Sequence, residues 1–378
     1  MKQRIELLAP GGDVDAIKSA IAAGANAVYC GLERFNARNR ASNISFDELL
    51  GVLHLAHKNN CKVFLTLNTL ILENEISDLI TLLNKLVNTN IDGIIVQDLG
   101  VFYLLSKYFK SIEIHASTQC TTHNKGQIEF LSQLNVSRVN LCRELNLSEI
   151  KILSEYGVSH NVSTEVFVHG SNCVSFSGLC YMSSVISGNS GNRGRCSQPC
   201  RDKYKKTEKN KNFPLNLKDN SAYTDLIELA DAGVYSLKIE GRIKRYDYVY
   251  SVVKTWVDQI ELFYKTQKIS SDKSALYKVF NRDFTNGYLS GIINQNMFID
   301  NPRDNSIQHL NDIKSYSSEI TFENDCLKLY NEKDEIKNSV ETIINKLNIN
   351  KIPLTILISG KFGEKLNVLI ITDNNTFE

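Results

Sequence analysis

Eight short apolar runs alternate with amphipathic segments over the first two thirds of the chain, and this alternation limits the fold more than any other feature. The runs lack the polar alternation of half-exposed strands, which is typical of parallel strands buried on both faces. Strands that alternate with helices form βαβ units, and eight such units predict an α/β protein with a (β/α)8 TIM-like barrel. The predicted strands are IELLA (5–9), AVYCG (27–31), KVFLTL (62–67), GIIVQ (93–97), IEIHA (112–116), RVNLC (138–142), EVFVH (165–169) and YSLKIE (235–240). A doubly wound sheet is the alternative, but the first strand is followed by the glycine turn APGGD and not by G-x-G-x-x-G.

The spacing of the strands breaks once, because about 65 residues separate the seventh predicted strand from the eighth. This segment leaves the carboxyl end of a strand, which is the face where barrel enzymes build their active sites. We therefore expect a cysteine-rich insertion (171–212) that overhangs the active site. Its last part, RDKYKKTEKNKN (201–212), carries six basic and two acidic residues. A solvated loop is the first interpretation of that part, and contact with a phosphate backbone is the second.

The composition indicates a globular protein of the cytoplasm. The chain has 378 residues, of which 42% are hydrophobic, and a formal net charge of +1, so no global attraction to nucleic acid or membrane is expected. The apolar stretch at the N-terminus is too short for a signal peptide, and no run approaches the roughly 18 residues of a membrane helix. In a reducing cytoplasm, clustered cysteines bind metal or perform redox chemistry more often than they form disulfides.

Four of the nine cysteines lie in the insertion with the spacing C-x6-C-x15-C-x3-C, at Cys173, Cys180, Cys196 and Cys200. Thiolates bind both zinc and iron–sulfur clusters. Zinc knuckles usually present C-x2-C pairs, whereas the wide spacing and the many Ser, Gly and Asn residues here favour wrapping around a larger 4Fe–4S cluster. Zinc and unligated redox thiols stay open as alternatives.

The predicted domain organisation is a barrel over residues 1–300, including the insertion, and a small β-rich module over 301–378. A long amphipathic helix is predicted at 246–265. In the module, SEITFEN, CLKLYN, KIPLTILISG and KLNVLIITD are predicted as strands around one helix. Because the module stops soon after a strand and a turn, it is consistent with a shortened version of a longer architecture that folds without being active.

Polar side chains at the ends of barrel strands are candidates for a common pocket. Those predicted as catalytic are Arg143, Glu144, His169 and Glu240, and those predicted to bind substrate are Arg38, Arg40, Asn68, Asp98, Thr118, Gln119, Arg193, Lys238 and Arg242. Guanidinium groups match carboxylates in two-pronged fashion, so Arg38, Arg40 and Arg143 are expected to grip a small dicarboxylate. The structural alternatives are that Arg143–Glu144 and Glu240–Arg242 form ion pairs that fix loops, and that His169 is a buried structural residue.

Seven motifs occur in an order that resembles the collagenase-like peptidase (U32) family. They are ELLAPGG, FNARNRA, HASTQ, LCRELNLSEI, the run from Glu165 to Arg201 around the four cysteines, SLKIEGRIK and FNRDFTNGYL. The C-terminal module resembles the start of an extra domain in the branch that hydroxylates a cytidine of large-subunit ribosomal RNA. A sister branch hydroxylates the wobble uridine of transfer RNA.

The resemblance implies an iron–sulfur enzyme that hydroxylates a pyrimidine base in RNA, with prephenate as the co-substrate. It also implies that Cys173, Cys180, Cys196 and Cys200 are the cluster ligands. Many relatives have a further cysteine after a KDL stretch, where this chain has KDNSAY with Ser221. The alternative function is a peptidase acting on extended, collagen-like chains, although neither HExxH nor GxSxG occurs. A target base would have to leave its stack to reach the site.

Overall fold

The strands of the fold follow the predicted alternation closely. The computed structural model describes residues 4–38, 42–205, 208, 210–316, 318–349, 354–363, 365–372 and 376–377. In chain order its strands are β1 (Glu6–Pro10), β2 (Ala27–Cys30), β3 (Lys62–Leu67), β4 (Gly93–Val96), β5 (Ile114–Ala116), β6 (Val136–Asn140), β7 (Ser163–Gly170), β8 (Asp219–Ser221), β9 (Ser236–Ile239), β10 (Phe284–Thr285), β11 (Leu354–Ser359), β12 (Asn367–Thr372) and β13 (Thr376–Phe377).

Eight of these strands close into a parallel barrel. Strands β1 to β7 pair in sequence order, and β9 pairs in parallel with both β7 and β1. In the closing register Leu7 lies opposite Leu237, and Val166 lies opposite the same residue from the other side. All eight predicted barrel strands and the predicted (β/α)8 fold class are therefore confirmed, and the doubly wound alternative is wrong.

Helices connect the strands and cover the outside of the barrel. They are α1 (Val14–Ala22), α2 (Phe46–Lys58), α3 (Ile76–Leu86), α4 (Leu99–Tyr108), α5 (Lys125–Gln133), α6 (Leu147–Ser159), α7 (Met182–Ser187), α8 (Leu226–Asp231), α9 (Tyr246–Thr266), α10 (Ser274–Tyr277), α11 (Gly287–Ser290), α12 (Ser306–Ile313) and α13 (Glu319–Ile344). The predicted long helix is confirmed as α9. Side-chain caps begin several helices, including capping boxes at Ser45 and Asn146. No helix among the described residues has the length and apolar character that crossing a bilayer requires.

The segment between β7 and β9 is tied to the barrel by short strands. Strand β8 pairs antiparallel with the end of β7, with Ser221 opposite His169, and β10 pairs in parallel with β8. The Asp219 carboxylate accepts a hydrogen bond from Arg282 at 2.8 Å, which joins β8 to the turn before β10. The cysteine-rich insertion therefore starts from a fixed edge at the end of the barrel that carries the carboxyl ends of the strands, called the mouth below.

The C-terminal region differs in part from the prediction. The stretches SEITFEN and CLKLYN lie in the single helix α13, so their prediction as strands is wrong. The helix contacts α1 and α9 of the barrel and buries Leu329, Val340 and Ile344, which form one narrow apolar stripe. The other two predicted strands are confirmed as β11 and β12, which form an antiparallel sheet with β13.

Candidate active site

The interior of the barrel holds a buried network of four charged side chains. Arg138 donates to Glu6 at 2.5 Å and to Glu165 at 3.3 Å, and Lys238 donates to Glu165 at 2.8 Å. Ser236 donates from its hydroxyl to both carboxylates. Burial pushes the pKa of Glu165 upward, but Lys238 and Arg138 outweigh burial and lower that pKa to about 2. The charges of the two cations and the two anions cancel. The network fills the barrel interior beneath the mouth.

Above this network, Arg38 and Glu240 form an ion pair at the mouth. The guanidinium of Arg38 donates to Oε1 of Glu240 at 3.1 Å. Burial would raise the pKa of Glu240, but Arg38, Arg143 and Arg242 together lower it. Three arginines therefore act on one carboxylate, which leaves positive charge in excess at this point.

Arg242 is held rigidly beneath Arg38. Only 3% of Arg242 is exposed, and its guanidinium donates at 3.0 Å to each of Thr66, Asn36 and Asn43. Burial lowers the pKa of Arg242 to about 10. Gly31 is required beside it, because a Cβ atom there would lie 2.5 Å from the guanidinium. Arg242 thus fixes the loop after β2, on which Arg38 lies.

Arg143 and Glu144 join the mouth to the insertion without pairing with each other. The Glu144 carboxylate accepts hydrogen bonds from the backbone N–H and the hydroxyl of Ser177, both at 2.7 Å. The guanidinium of Arg143 lies over the Phe167 ring, 5.2 Å from its centre. Its buried Nε has no hydrogen-bond partner among the described residues. Arg143 is therefore a donor that faces the mouth, whereas Glu144 anchors the insertion.

Three other predicted residues lie close to this group in the loops of neighbouring strands. Asn68 donates to the side chain of Gln119 at 3.3 Å and accepts from the backbone N–H of Ala37, next to Arg38. The Thr118 hydroxyl donates to the carbonyl of Leu141 at 3.4 Å. These contacts connect the loops after β2, β3 and β5 around the mouth.

The remaining predicted side chains have partners elsewhere. Asp98 caps α4 by accepting from Gly100 and Val101. Arg193 makes a two-pronged contact with Glu75, at 2.8 and 3.1 Å. Lys238 belongs to the interior network, and Arg40 lies outside the described residues.

His169 lies away from the arginine group. It is buried against Trp256 of α9 and Phe284 of β10, with ring centres 6.5 and 5.2 Å away. Burial lowers its pKa to about 3. The structure therefore brings together Arg38, Arg143, Glu144, Glu240, Arg242, Asn68, Thr118 and Gln119. The His169 carbonyl accepts from the N–H of Glu240 at 2.8 Å, but the His169 side chain packs away from this group. The catalytic and binding roles of all these residues stay predictions.

The four cysteines of the insertion share one electrostatic neighbourhood. Burial raises the pKa of Cys200 to about 11, and although Arg201 opposes this, Cys173, Cys196 and Cys180 each add to the rise. All four thiols are partly accessible. Among the described residues, no group of three or more His, Cys, Asp or Glu side chains has the arrangement of a metal-binding group.

Hydrogen bonds to two of the sulfurs provide a test of whether these residues suit a thiolate-bound group. The backbone N–H of Met182 donates to Sγ of Cys180, and that of Gln198 donates to Sγ of Cys196, both at 3.4 Å. The Ser183 hydroxyl also donates to Cys196, at 3.7 Å. Such donors stabilise sulfur as thiolate, the form that ligates metals and clusters. The chemistry of this donor set therefore fits an iron–sulfur cluster or zinc.

Cys173 connects the cysteines to the mouth. Its thiol interacts electrostatically with Arg38, whose pKa is raised chiefly by Glu240 and in smaller part by Cys173. The pKa of Tyr288 is raised by burial first, and then by Glu144 and Cys173. Tyr288 is not among the predicted site residues, although it lies in the motif FNRDFTNGYL. Its place beside Glu144 and Cys173 depends on the long return of the chain after α9.

A (β/α)8 barrel with a polar mouth and a cysteine-bearing insertion is typical of an enzyme, and similarity to known proteins identifies its family. The chain belongs to peptidase family U32, because the model of that family matches residues 12–298. The predicted resemblance is therefore confirmed.

Relatives within this family carry different names. The chain is 39% identical over 255 residues to the 23S rRNA 5-hydroxycytidine C2501 synthase of Escherichia coli, covering 66% of this chain and 38% of that protein. It is 32% identical over 307 residues to a collagenase of Porphyromonas gingivalis, covering 76% and 73%. It is 30% identical over 270 residues to the tRNA hydroxylation protein P1 of Bacillus subtilis, covering 68% and 63%. The family thus includes proteins of RNA hydroxylation as well as proteins named for peptide cleavage.

Proposed function

We propose that this protein hydroxylates a pyrimidine base in RNA, with a cytidine of 23S ribosomal RNA as the first candidate and the wobble uridine of transfer RNA as the second. One observation carries the proposal: Glu144 at the barrel mouth holds Ser177 of the four-cysteine insertion by two hydrogen bonds of 2.7 Å. A relative named as a 23S rRNA 5-hydroxycytidine synthase supports the first candidate. A relative named as a tRNA hydroxylation protein supports the second.

Cys173, Cys180, Cys196 and Cys200 would hold a 4Fe–4S cluster, with zinc as the alternative. A bound cluster supplies one-electron redox chemistry next to the mouth. With water as the oxygen source, conversion of a C–H bond to C–OH releases two electrons and two protons, so the site must also hold an organic two-electron acceptor beside the one-electron cluster. The N–H donors on Cys180 and Cys196 favour thiolate at these positions.

The arginines would bind a small dicarboxylate co-substrate, for which prephenate is the candidate. Arg143 has an unpartnered buried Nε among the described residues, so it is assigned to one carboxylate. Glu240 is kept ionised by its lowered pKa, and it orients Arg38 through the 3.1 Å contact. Arg242 donates from both terminal nitrogens to Thr66, Asn36 and Asn43 and is only 3% exposed, so it positions the loop that carries Arg38.

Metal content after purification without air tests the cluster directly. We expect about four irons per chain in the wild-type protein, and loss of most of that iron in Cys173→Ser. Cys326→Ser is the matched control, because this cysteine lies on α13, outside the insertion. A colourless, zinc-loaded protein would contradict the iron–sulfur proposal.

Mass spectrometry of RNA from a deletion strain tests the substrate. A 5-hydroxypyrimidine should disappear from ribosomal RNA in the deletion strain and return when the wild-type chain is restored. Restoring Cys173→Ser should leave the modification absent, whereas Cys326→Ser should restore it. An unchanged modification pattern in both ribosomal and transfer RNA would overturn the proposal.

Peptide cleavage is the second candidate, supported by the relative named as a collagenase. It predicts that metal-free protein cleaves denatured collagen and that Cys173→Ser leaves this cleavage intact. The two candidates therefore give opposite results for the same cysteine variant.

A further inference from the structure

A cleft of about 420 Å³ lies beside the mouth, on the outer side of the loop that follows β2. This volume falls within the range of about 300–1,000 Å³ that is usual for sites binding small organic groups. The apolar part of its lining includes Phe35, Phe46 and Leu82. None of the contacts described for the mouth involves these side chains, so the cleft is a separate site.

The loop between β2 and α2 joins the cleft to the mouth. On its inner side Arg38 contacts Glu240, and Asn36 and Asn43 accept hydrogen bonds from Arg242. On its outer side Phe35 faces the cleft. A ligand in the cleft and a ligand in the mouth would therefore contact opposite sides of the same short loop.

Phe35 is held in a costly backbone conformation at this point. Its φ angle is +65°, a left-handed value that a bulky side chain rarely adopts. Asn36 donates to the carbonyl of Leu32, and the backbone N–H of Ile44 donates to the carbonyl of Gly31, which closes the loop. Strained residues held by surrounding contacts are concentrated at functional sites. The loop thus fixes Phe35 at the inner end of the cleft, where 8% of the residue is exposed.

The rim of the cleft is electrically balanced. Arg34 lies over the Phe35 ring and pairs with Asp78 at 2.6 Å, while Lys85 lies over the Phe46 ring, 5.8 Å from its centre. Glu33 is the second acidic residue of the lining. Two cations and two anions around aromatic rings suit a neutral planar group whose edge has both hydrogen-bond donors and acceptors. Lys85 makes no ion pair with any described residue, so its ammonium group can serve one neighbouring anion.

We propose that this cleft binds a second nucleotide of the RNA, next to the one that enters the mouth. Its base would stack on Phe46 when the Lys85 ammonium moves from that ring to the adjoining phosphate, and Phe35 would close the inner end of the cleft. Stacking on aromatic side chains is a common way to hold unpaired bases, and it tolerates different bases. The inference rests on the proposed function, and it names the flanking single strand as the part of the RNA that is recognised.

Fluorescence anisotropy with a labelled single-stranded RNA of twelve mixed nucleotides tests the cleft. Thr81→Trp fills the cleft from an exposed position of α3, so it should not disturb the fold. We expect it to weaken RNA binding about tenfold. Lys85→Glu should weaken binding and also reduce the slope of log affinity against log salt by about one. Lys110→Glu, after the end of α4, is the matched charge control and should bind like the wild type.

Hydroxylation of cellular RNA by the same variants distinguishes a failure of the cleft assignment from a failure of the proposed function. If the wild-type chain hydroxylates RNA and Thr81→Trp binds the oligonucleotide within twofold of wild type, the cleft assignment is overturned and the function stands. If the wild-type chain neither binds nor hydroxylates RNA, both are overturned. Weaker binding by both cleft variants, with unfolding temperatures equal to that of the wild type, supports the cleft.

Discussion

The barrel interior and the barrel mouth both concentrate charge, but they arrange it in opposite ways. In the interior, Arg138 and Lys238 pair with Glu6 and Glu165, so every charge has an opposite partner. At the mouth, three arginines act on the single carboxylate of Glu240. Burying an ion is costly unless it is paired, so the interior network is complete without a ligand. The mouth carries more positive than negative charge around Glu240, and this excess supports the proposal that a carboxylate co-substrate binds there.

Breaking the interior network should have the largest effect. Arg138→Met removes the partner of Glu6 and leaves that buried carboxylate unpaired. We expect the free energy of unfolding to fall by about 3–5 kcal/mol, measured by chemical denaturation. A denaturation midpoint equal to that of the wild type would show that the interior charges do not depend on one another.

Changing the mouth should affect activity and leave stability almost unchanged. Arg143→Gln removes a donor that has no carboxylate partner of its own, so nothing is left unpaired in the protein. We expect hydroxylation at limiting co-substrate to fall about ten- to a hundredfold, with an unfolding temperature close to that of the wild type. Arg4→Gln, at the opposite end of the barrel, is the control. Strong destabilisation by Arg143→Gln would instead show that this arginine stabilises the fold, as the charged residues of the interior network do.

Substitution of His169 tests whether this residue has a structural role or the predicted catalytic role. Its pKa in the folded chain is about 3, chiefly because of burial, whereas that of an unfolded histidine is about 6.5. The unfolded chain therefore binds a proton first as pH falls, so this histidine makes no pH-dependent contribution well above pH 6.5 and opposes folding increasingly between pH 6.5 and about 3. As the pH is lowered below 6.5, the free energy of unfolding should fall in both proteins. We expect the wild type to lose about 1.4 kcal/mol more per pH unit than His169→Phe does. Hydroxylation abolished at neutral pH in a stable variant would instead support the predicted catalytic role.

The smallest effect is expected for an exposed ion pair on the outer surface. Lys254→Ala removes the contact with Asp258 on α9, where both side chains are about half exposed. Solvent screens such pairs, so unfolding should change by less than about 0.5 kcal/mol. A larger loss would mean that pairing as such, and not burial, explains the effect of Arg138→Met.

The barrel was predictable from sequence because each strand is an apolar run bounded by helical periodicity. The strands predicted in SEITFEN and CLKLYN were wrong because α13 buries only Leu329, Val340 and Ile344, so its helical stripe is too sparse to recognise. Short aromatic and β-branched runs within it then imitate strands.

The candidate site was predictable only in part. Polar residues at strand ends identified Arg38, Arg143 and Glu240, since parallel strands bring their carboxyl ends together. The interior network was missed, although charged residues within apolar strands, such as Glu6 and Arg138, were a usable signal. Tyr288 and the cleft at Phe35 depend on loop paths, which no local pattern in the sequence specifies.

Because β9 closes the barrel beside β7, the cysteine region lies between two neighbouring strands and could be transferred to another barrel. Strand β7 ends at Gly170 and β9 begins at Ser236, and these strands are hydrogen-bonded neighbours. The segment between them therefore leaves one barrel strand and returns to the neighbouring strand. Grafting residues 171–235 between two neighbouring strands of another eight-stranded barrel would also require the segment around β10, because β8 pairs with β10 and Asp219 binds Arg282.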